Sequence, residues 1–173
     1  MVRKIVKYGN PVLEEMCKPV AEEEFGSEDL RSLVTDMFET MYQARGVGLA
    51  APQVGVLKRL TVIDCSGGEG EAQPHILINP EIVSQEGTQV GSEGCLSIPG
   101  FTGNVSRPMT VCTRYRTVDG DWGELEGEEL LARVICHEND HLNGVLFLRH
   151  LSKLKRGMIK KKIRALRKQG EWD

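Results

Sequence analysis

The segment Val134 to Gly144, VICHENDHLNG, carries His137, Glu138 and His141 in a His-Glu-x-x-His spacing. Histidines four positions apart share one face of a helix, one turn from each other, so both imidazoles can reach a single metal ion. Glu138 projects about 100° away from His137 round the helix axis. That direction is wrong for a third ligand and right for a base standing beside a metal-activated water. The chemistry this suggests is metal-dependent hydrolysis. Only His75 and His150 lie outside the motif, and both read as ordinary loop or strand-end residues.

A catalytic site of this kind takes three protein ligands and keeps one position open. Downstream, the sequence offers His150 and Glu171. His150 comes nine residues after His141 and beyond a glycine, not at the six-residue distance of the longer zinc-protease pattern. Upstream, Cys95 sits in SEGCLSIPG, and a thiolate is a strong ligand for soft or borderline metals. On spacing alone any of the five cysteines could serve. Three readings stay open at this point: a hydrolase using Cys95, a metallo-endopeptidase with another third ligand, and a non-catalytic protein with a structural metal site.

Particular elements must position these residues. Glu128 and Glu129 are expected in the first turn of the motif helix, where the macrodipole favours negative charge. Leu130, Leu131, Val134, Ile135 and Leu142 supply its apolar stripe, and Asn143-Gly144 its stop. Ser27 is the expected N-cap of an amphipathic helix built on Leu30, Leu33, Val34, Met37, Phe38, Met41 and Tyr42. That helix runs into a glycine-rich turn, GVGLAAPQVG. Strand-like runs follow at 59–64, 75–83 and 109–118, the last ending at the turn signal Asp119-Gly120. Between the last two, GSEGCLSIPGFTGNVSRP reads as loop with short strands. An apolar run at 145–148 and a basic helix close the chain. The expected class is α+β, with curved antiparallel β-sheets around a central HExxH helix, an N-terminal amphipathic helix and a C-terminal helix.

A chain of 173 residues with 40% hydrophobic content is expected to form a single domain over 1–173. The opening, MVRKIVKYGNPVLEEM, has no long apolar run, so no signal, transit segment or membrane anchor is expected and a cytoplasmic location is. Five cysteines without framework spacing fit reduced thiols. Charge is unevenly spread. Residues 1–152 carry 13 Lys and Arg against 23 Asp and Glu, a net of −10, whereas 153–173 carry 9 against 2, a net of +7. In the tail, Leu151, Leu154, Met158, Ile159, Ile163 and Leu166 fall near helical spacing. One face could pack on the acidic body while the other meets solvent or a polyanion such as RNA.

Three ordered segments, GVGLAAPQ (46–53), EGCLS (93–97) and HENDH (137–141), resemble those of the peptide deformylases. The likeness extends over essentially the whole chain. It implies removal of the N-formyl group from the initiator methionine of nascent polypeptides, with release of formate. It implies a metal on Cys95, His137 and His141, usually Fe2+, replaceable by Zn2+, Ni2+ or Co2+. Glu138 would be the general acid/base, and Gln53 with the Leu96 N–H would polarise the formyl carbonyl. Gly46, Gly48 and Gly94 would admit the substrate backbone, and Val47, Leu130 and Val134 would line the methionine slot. Arg133 should point away from that slot or bind acidic groups. Cys136 departs from the family, which often has glutamine there; adjacency to His137 turns it away from the metal, as a buried structural thiol. In some bacterial members a C-terminal helix docks on the ribosome, which gives the basic tail a partner.

Overall fold

The computed structural model describes residues 1–172. In chain order the elements are α1 (Glu28–Gln43), β1 (Gly48–Ala50), β2 (Leu60–Ile63), β3 (His75–Glu86), β4 (Gln89–Gly94), β5 (Thr102–Arg107), β6 (Thr110–Arg116), β7 (Trp122–Glu128), α2 (Glu129–Leu142) and α3 (Lys153–Lys168). Five strands form an antiparallel sheet in the order β1-β2-β3-β6-β7, and β4 and β5 form a separate hairpin. This is the expected α+β class, and α2 packs between sheet and hairpin. Among the described residues, no helix is long and apolar enough to cross a membrane.

Ser27 caps α1, its hydroxyl accepting the Leu30 N–H at 3.2 Å. The helix buries Leu30, Leu33, Val34, Met37 and Met41 against Leu49, Leu60, Val62 and Ile78 of the sheet. Full burial of such side chains stabilises by about 1.5–3 kcal/mol each. The sheet bends where the β3–β6 register shifts, between Ile78 and Glu81 and again between Ile82 and Ser84. Irregularities of this kind increase local twist, which wraps the sheet round α2. Asn79, at φ +48°, holds one bend by bonding both backbone groups of Val20.

β7 passes into α2 without a loop. Glu128 is therefore a strand residue and N-cap, not part of the first helical turn as the sequence suggested. Glu129 takes the abrupt change at φ +51°, and the Gln89 side-chain amide ties its carbonyl at 2.7 Å. Val134, Ile135 and Cys136 pack with Ile63, Leu77 and Val111. Leu130 departs from the stripe and is 49% exposed. At the other end Gly144, at φ +70°, stops the helix. A Cβ there would also lie 2.6 Å from the Glu14 carbonyl oxygen.

Three segments differ from their sequence readings, and a fourth agrees. The glycine-rich 46–55 stretch supplies β1 and a 3-10 turn, Ala51–Val54, because its small residues let the chain run flush against α2. Residues 91–108 agree with theirs, two short strands of a hairpin joined by the 95–101 loop. Trp122–Glu128, which no pattern flagged, is an edge strand whose alternation is hidden by glutamate and glycine. The apolar run at 145–148 enters a 3-10 turn, Phe147–His150. α3 touches the body along a narrow line only. Ile159 and Ile163 are buried, while Leu154 and Met158 are 76% and 49% exposed.

Candidate active site

β4 and the turn after it bring Cys95 opposite α2. The Ile98 N–H closes that turn on the Cys95 carbonyl at 2.9 Å. Cys95 Sγ and one ring nitrogen each of His137 and His141 lie within 4.8 Å of one another. Sγ is 3.3 Å from His141 Nε2, and the two imidazole centroids are 4.9 Å apart. Burial holds the His141 imidazole well below its ordinary pKa, in the neutral form a metal requires. A thiolate with two imidazoles is a donor set for borderline divalent metals such as Fe2+, Zn2+, Ni2+ and Co2+. Among the described residues the cluster has three such ligands, and His150 is not one of them: its Nε2 pairs with Asp140 at 2.8 Å.

His137 is oriented from behind. Its Nδ1 lies 2.8 Å from Glu93 Oε1, which leaves Nε2 for the cluster. The same carboxylate accepts from Arg107 at 2.8 and 2.9 Å and from Arg133 at 2.7 Å. Burial alone would raise the Glu93 carboxyl, but the bonds from Arg107 and His137 outweigh it and hold it well below the usual range. Arg107 also reaches Asp140 at 2.8 Å. Arg133 thus binds an acidic group, one of the two outcomes expected for it. Sequence reasoning assigned nothing to Glu93, Arg107 or Asp140. The available signal was a lone glutamate at the inward end of β4, beside the candidate ligand Cys95.

Glu138 is 4% exposed, and burial pushes its carboxyl up to about 7. Its Oε2 has no hydrogen-bond partner among the described residues, nor has His141 Nδ1. A buried carboxyl with a pKa near neutrality and a free oxygen suits proton transfer. Gln53 is fixed by its Oε1, which accepts the Ala50 N–H at 2.9 Å. Its Nε2 then faces Ser97 Oγ at 3.2 Å and Cys95 Sγ at 3.5 Å. The Leu96 N–H makes no backbone hydrogen bond among the described residues.

These groups line a cavity of about 600 Å³. Its walls include Gly46, Val47, Gly48, Gly94, Leu96, Leu130 and Val134. Gly48 is required by space, since a Cβ there would stand 2.5 Å from Glu138 Oε1 and 2.8 Å from Val134 Cγ1. Cys136 is buried in the apolar cluster behind α2, and burial pushes its thiol up to about 11. It is a packed structural thiol, as expected.

An apolar cavity floored by a Cys/His/His cluster, with an unpaired acid above it, is the arrangement of a metallohydrolase. A family model described as polypeptide deformylase matches residues 2–157. The chain is 51% identical to the peptide deformylase of Acidobacterium capsulatum, over 99% of each chain. It is 52% identical to that of Agathobacter rectalis over 85% of this chain and 88% of the other. The crystal structure of a peptide deformylase from Legionella pneumophila superposes with a TM-score of 0.89 at 43% identity, covering 100% of this chain and 99% of that one. The chain therefore belongs to the polypeptide deformylase family, metal-dependent hydrolases that remove the N-formyl group from newly made polypeptides.

Proposed function

We propose that the enzyme removes the formyl group of N-formylmethionyl chains with Cys95, His137 and His141 holding one divalent metal ion. When bound, the ion supplies a Lewis acid that brings the pKa of water toward neutrality. Glu138 accepts the proton of the attacking water and passes it to the leaving amine nitrogen. Gln53 Nε2 and the Leu96 N–H donate to the formyl oxygen as it gains charge; one such donor is worth roughly 10²–10³ in rate. Gly46, Gly48 and Gly94 let the substrate backbone approach, and Val47, Leu130 and Val134 receive the methionine side chain. The observation that carries these roles is the buried, unpartnered Glu138 oxygen beside the three-ligand cluster. The first test is formate release from formyl-Met-Ala-Ser by anaerobically purified protein. Glu138→Ala should lose about 10²–10⁴ in kcat while keeping its metal; undiminished turnover in that variant would remove Glu138 from the mechanism.

The metal we assign is Fe2+, on the family resemblance and the borderline donor set. An iron–thiolate site oxidises in air, at the metal and at Cys95. Activity should fall in air and persist with Ni2+, whereas equal activity with Zn2+ in air would count against iron. We place the enzyme in the cytoplasm, working as chains leave the ribosome, with the basic segment 153–173 as the contact. Salt-sensitive binding to ribosomes is expected. Because Ile159 and Ile163 are core residues, exchanging exposed Lys161, Lys162 and Lys168 for glutamine tests this better than deletion does. Binding that ignores salt and these exchanges would end the idea.

A further inference from the structure

Arg45 lines the active-site cavity, and its charge has no use in the fold. Among the described residues it takes part in no ion pair. The other charged groups of the wall are committed. Glu93 holds Arg133 and His137, and Glu138 faces the reacting group.

The backbone adds a second observation. Arg45 follows α1 at φ +56°, where the chain turns back and the Gly46 N–H bonds the Met41 carbonyl at 2.9 Å. Helices that end this way usually place glycine there, because a Cβ is disfavoured in the left-handed region. An arginine at this point costs backbone stability, and among the described residues its side chain makes no hydrogen bond or ion pair in return. Unfavourable residues of this sort are kept where their side chains act.

Its place along the wall says on what it acts. Gly48 adjoins Glu138, and Arg45 stands three residues earlier. An extended chain advances about 3.3 Å per residue. A substrate lying along 46–48 with its formyl group at Glu138 therefore carries its second or third residue past Arg45. The body of the protein is acidic and repels anionic chains at long range, but salt screens that field beyond about 8 Å. Close to the wall, Arg45 decides.

We propose that Arg45 is a specificity-determining residue that favours formylated chains carrying Asp or Glu at the second or third position. This rests on the deformylase reading, which formate release from formyl-Met-Ala-Ala amide tests separately. The test compares kcat/KM for amidated formyl-Met tripeptides with Asp or Lys at each position, each rate divided by that of the neutral peptide. An exposed ion pair corresponds to about a 2- to 5-fold preference for Asp over Lys, expressed in KM and shrinking in high salt. Arg45→Gln should bring the ratio to one, and Arg45→Glu should invert it. Arg45→Gly should lose the preference yet raise Tm by about 2–4 °C, which separates the charge from folding. Equal wild-type kcat/KM for Asp and Lys peptides at both positions, or an unchanged ratio in Arg45→Gln, would overturn the proposal.

Discussion

Glu93 is where the chemistry of the site depends on a residue whose carboxylate is taken up by protein partners. One buried carboxylate receives two guanidinium groups and fixes the ring of His137. Removing its charge while keeping its size should therefore have two separable effects. In Glu93→Gln the guanidinium of Arg133 loses its counter-ion, a change that costs about 3–5 kcal/mol when a buried pair is broken. His137 exchanges an anionic acceptor for a neutral amide that can also turn a donor toward it, so its tautomer is held less firmly and metal affinity should fall about 10- to 100-fold. Denaturant unfolding reads the first effect and competition with a chelator the second. Lower stability at unchanged metal affinity would make Glu93 a structural residue only. The distinction also explains what the sequence shows. His137, Glu138 and His141 are legible because a helix fixes their relation over four residues. Glu93, Arg107 and Asp140 are not, because their partners are 10 to 44 positions away and no local period links them.

At the scale of elements, legibility follows burial. α1 and α2 each press one broad face on the core, so their apolar spacing survives in the sequence. β7 is an edge strand with Glu124, Glu126 and Glu128 turned outward, and β1 has three residues, so neither leaves a pattern. The segment after β2 is held in a way no period reveals. Asp64 is fully buried and accepts from the Tyr42 hydroxyl at 2.7 Å, the Ser66 N–H at 2.9 Å and the Gln73 N–H at 3.3 Å. Burial would raise its carboxyl, but these bonds bring it to about 2. A depressed carboxylate contributes stability that is full above the ordinary Asp value of about 3.9 and is lost as pH falls through the folded value. Wild type should therefore exceed Asp64→Asn in denaturant stability at pH 5, and the gap should close toward pH 2. A gap that stays constant over that range would mean that shape, not charge, anchors the segment.

Across the whole molecule, both ends of the chain close over the back of the site. Leu13 near the start, Ile98 and Val105 of the hairpin, Phe147 of the 3-10 turn, Ile159 and Ile163 of α3, and Trp172 form one core cluster. Phe147 stacks on His137 with centroids 6.3 Å apart, so this cluster touches a candidate metal ligand directly. Trp172 ties the end to the beginning, its indole N–H donating to the Tyr8 carbonyl at 2.8 Å. From these contacts we propose that residues 1–173 unfold as a single unit, although the charge of the tail is opposite to that of the body. The tryptophans allow a direct check. Trp172 is 2% exposed and Trp122 54%, so Trp122→Phe leaves one buried reporter at the far end of α3. Its fluorescence and the far-ultraviolet circular dichroism of the whole chain should change together in guanidinium. Ile163→Ala should move both midpoints by the same amount, corresponding to a loss of about 2–5 kcal/mol. If Trp172 became exposed while the circular dichroism still reported native sheet and α2, the basic helix would be a separately folding appendage. The stability of the metal-ligand cluster would then be set by the sheet and hairpin alone.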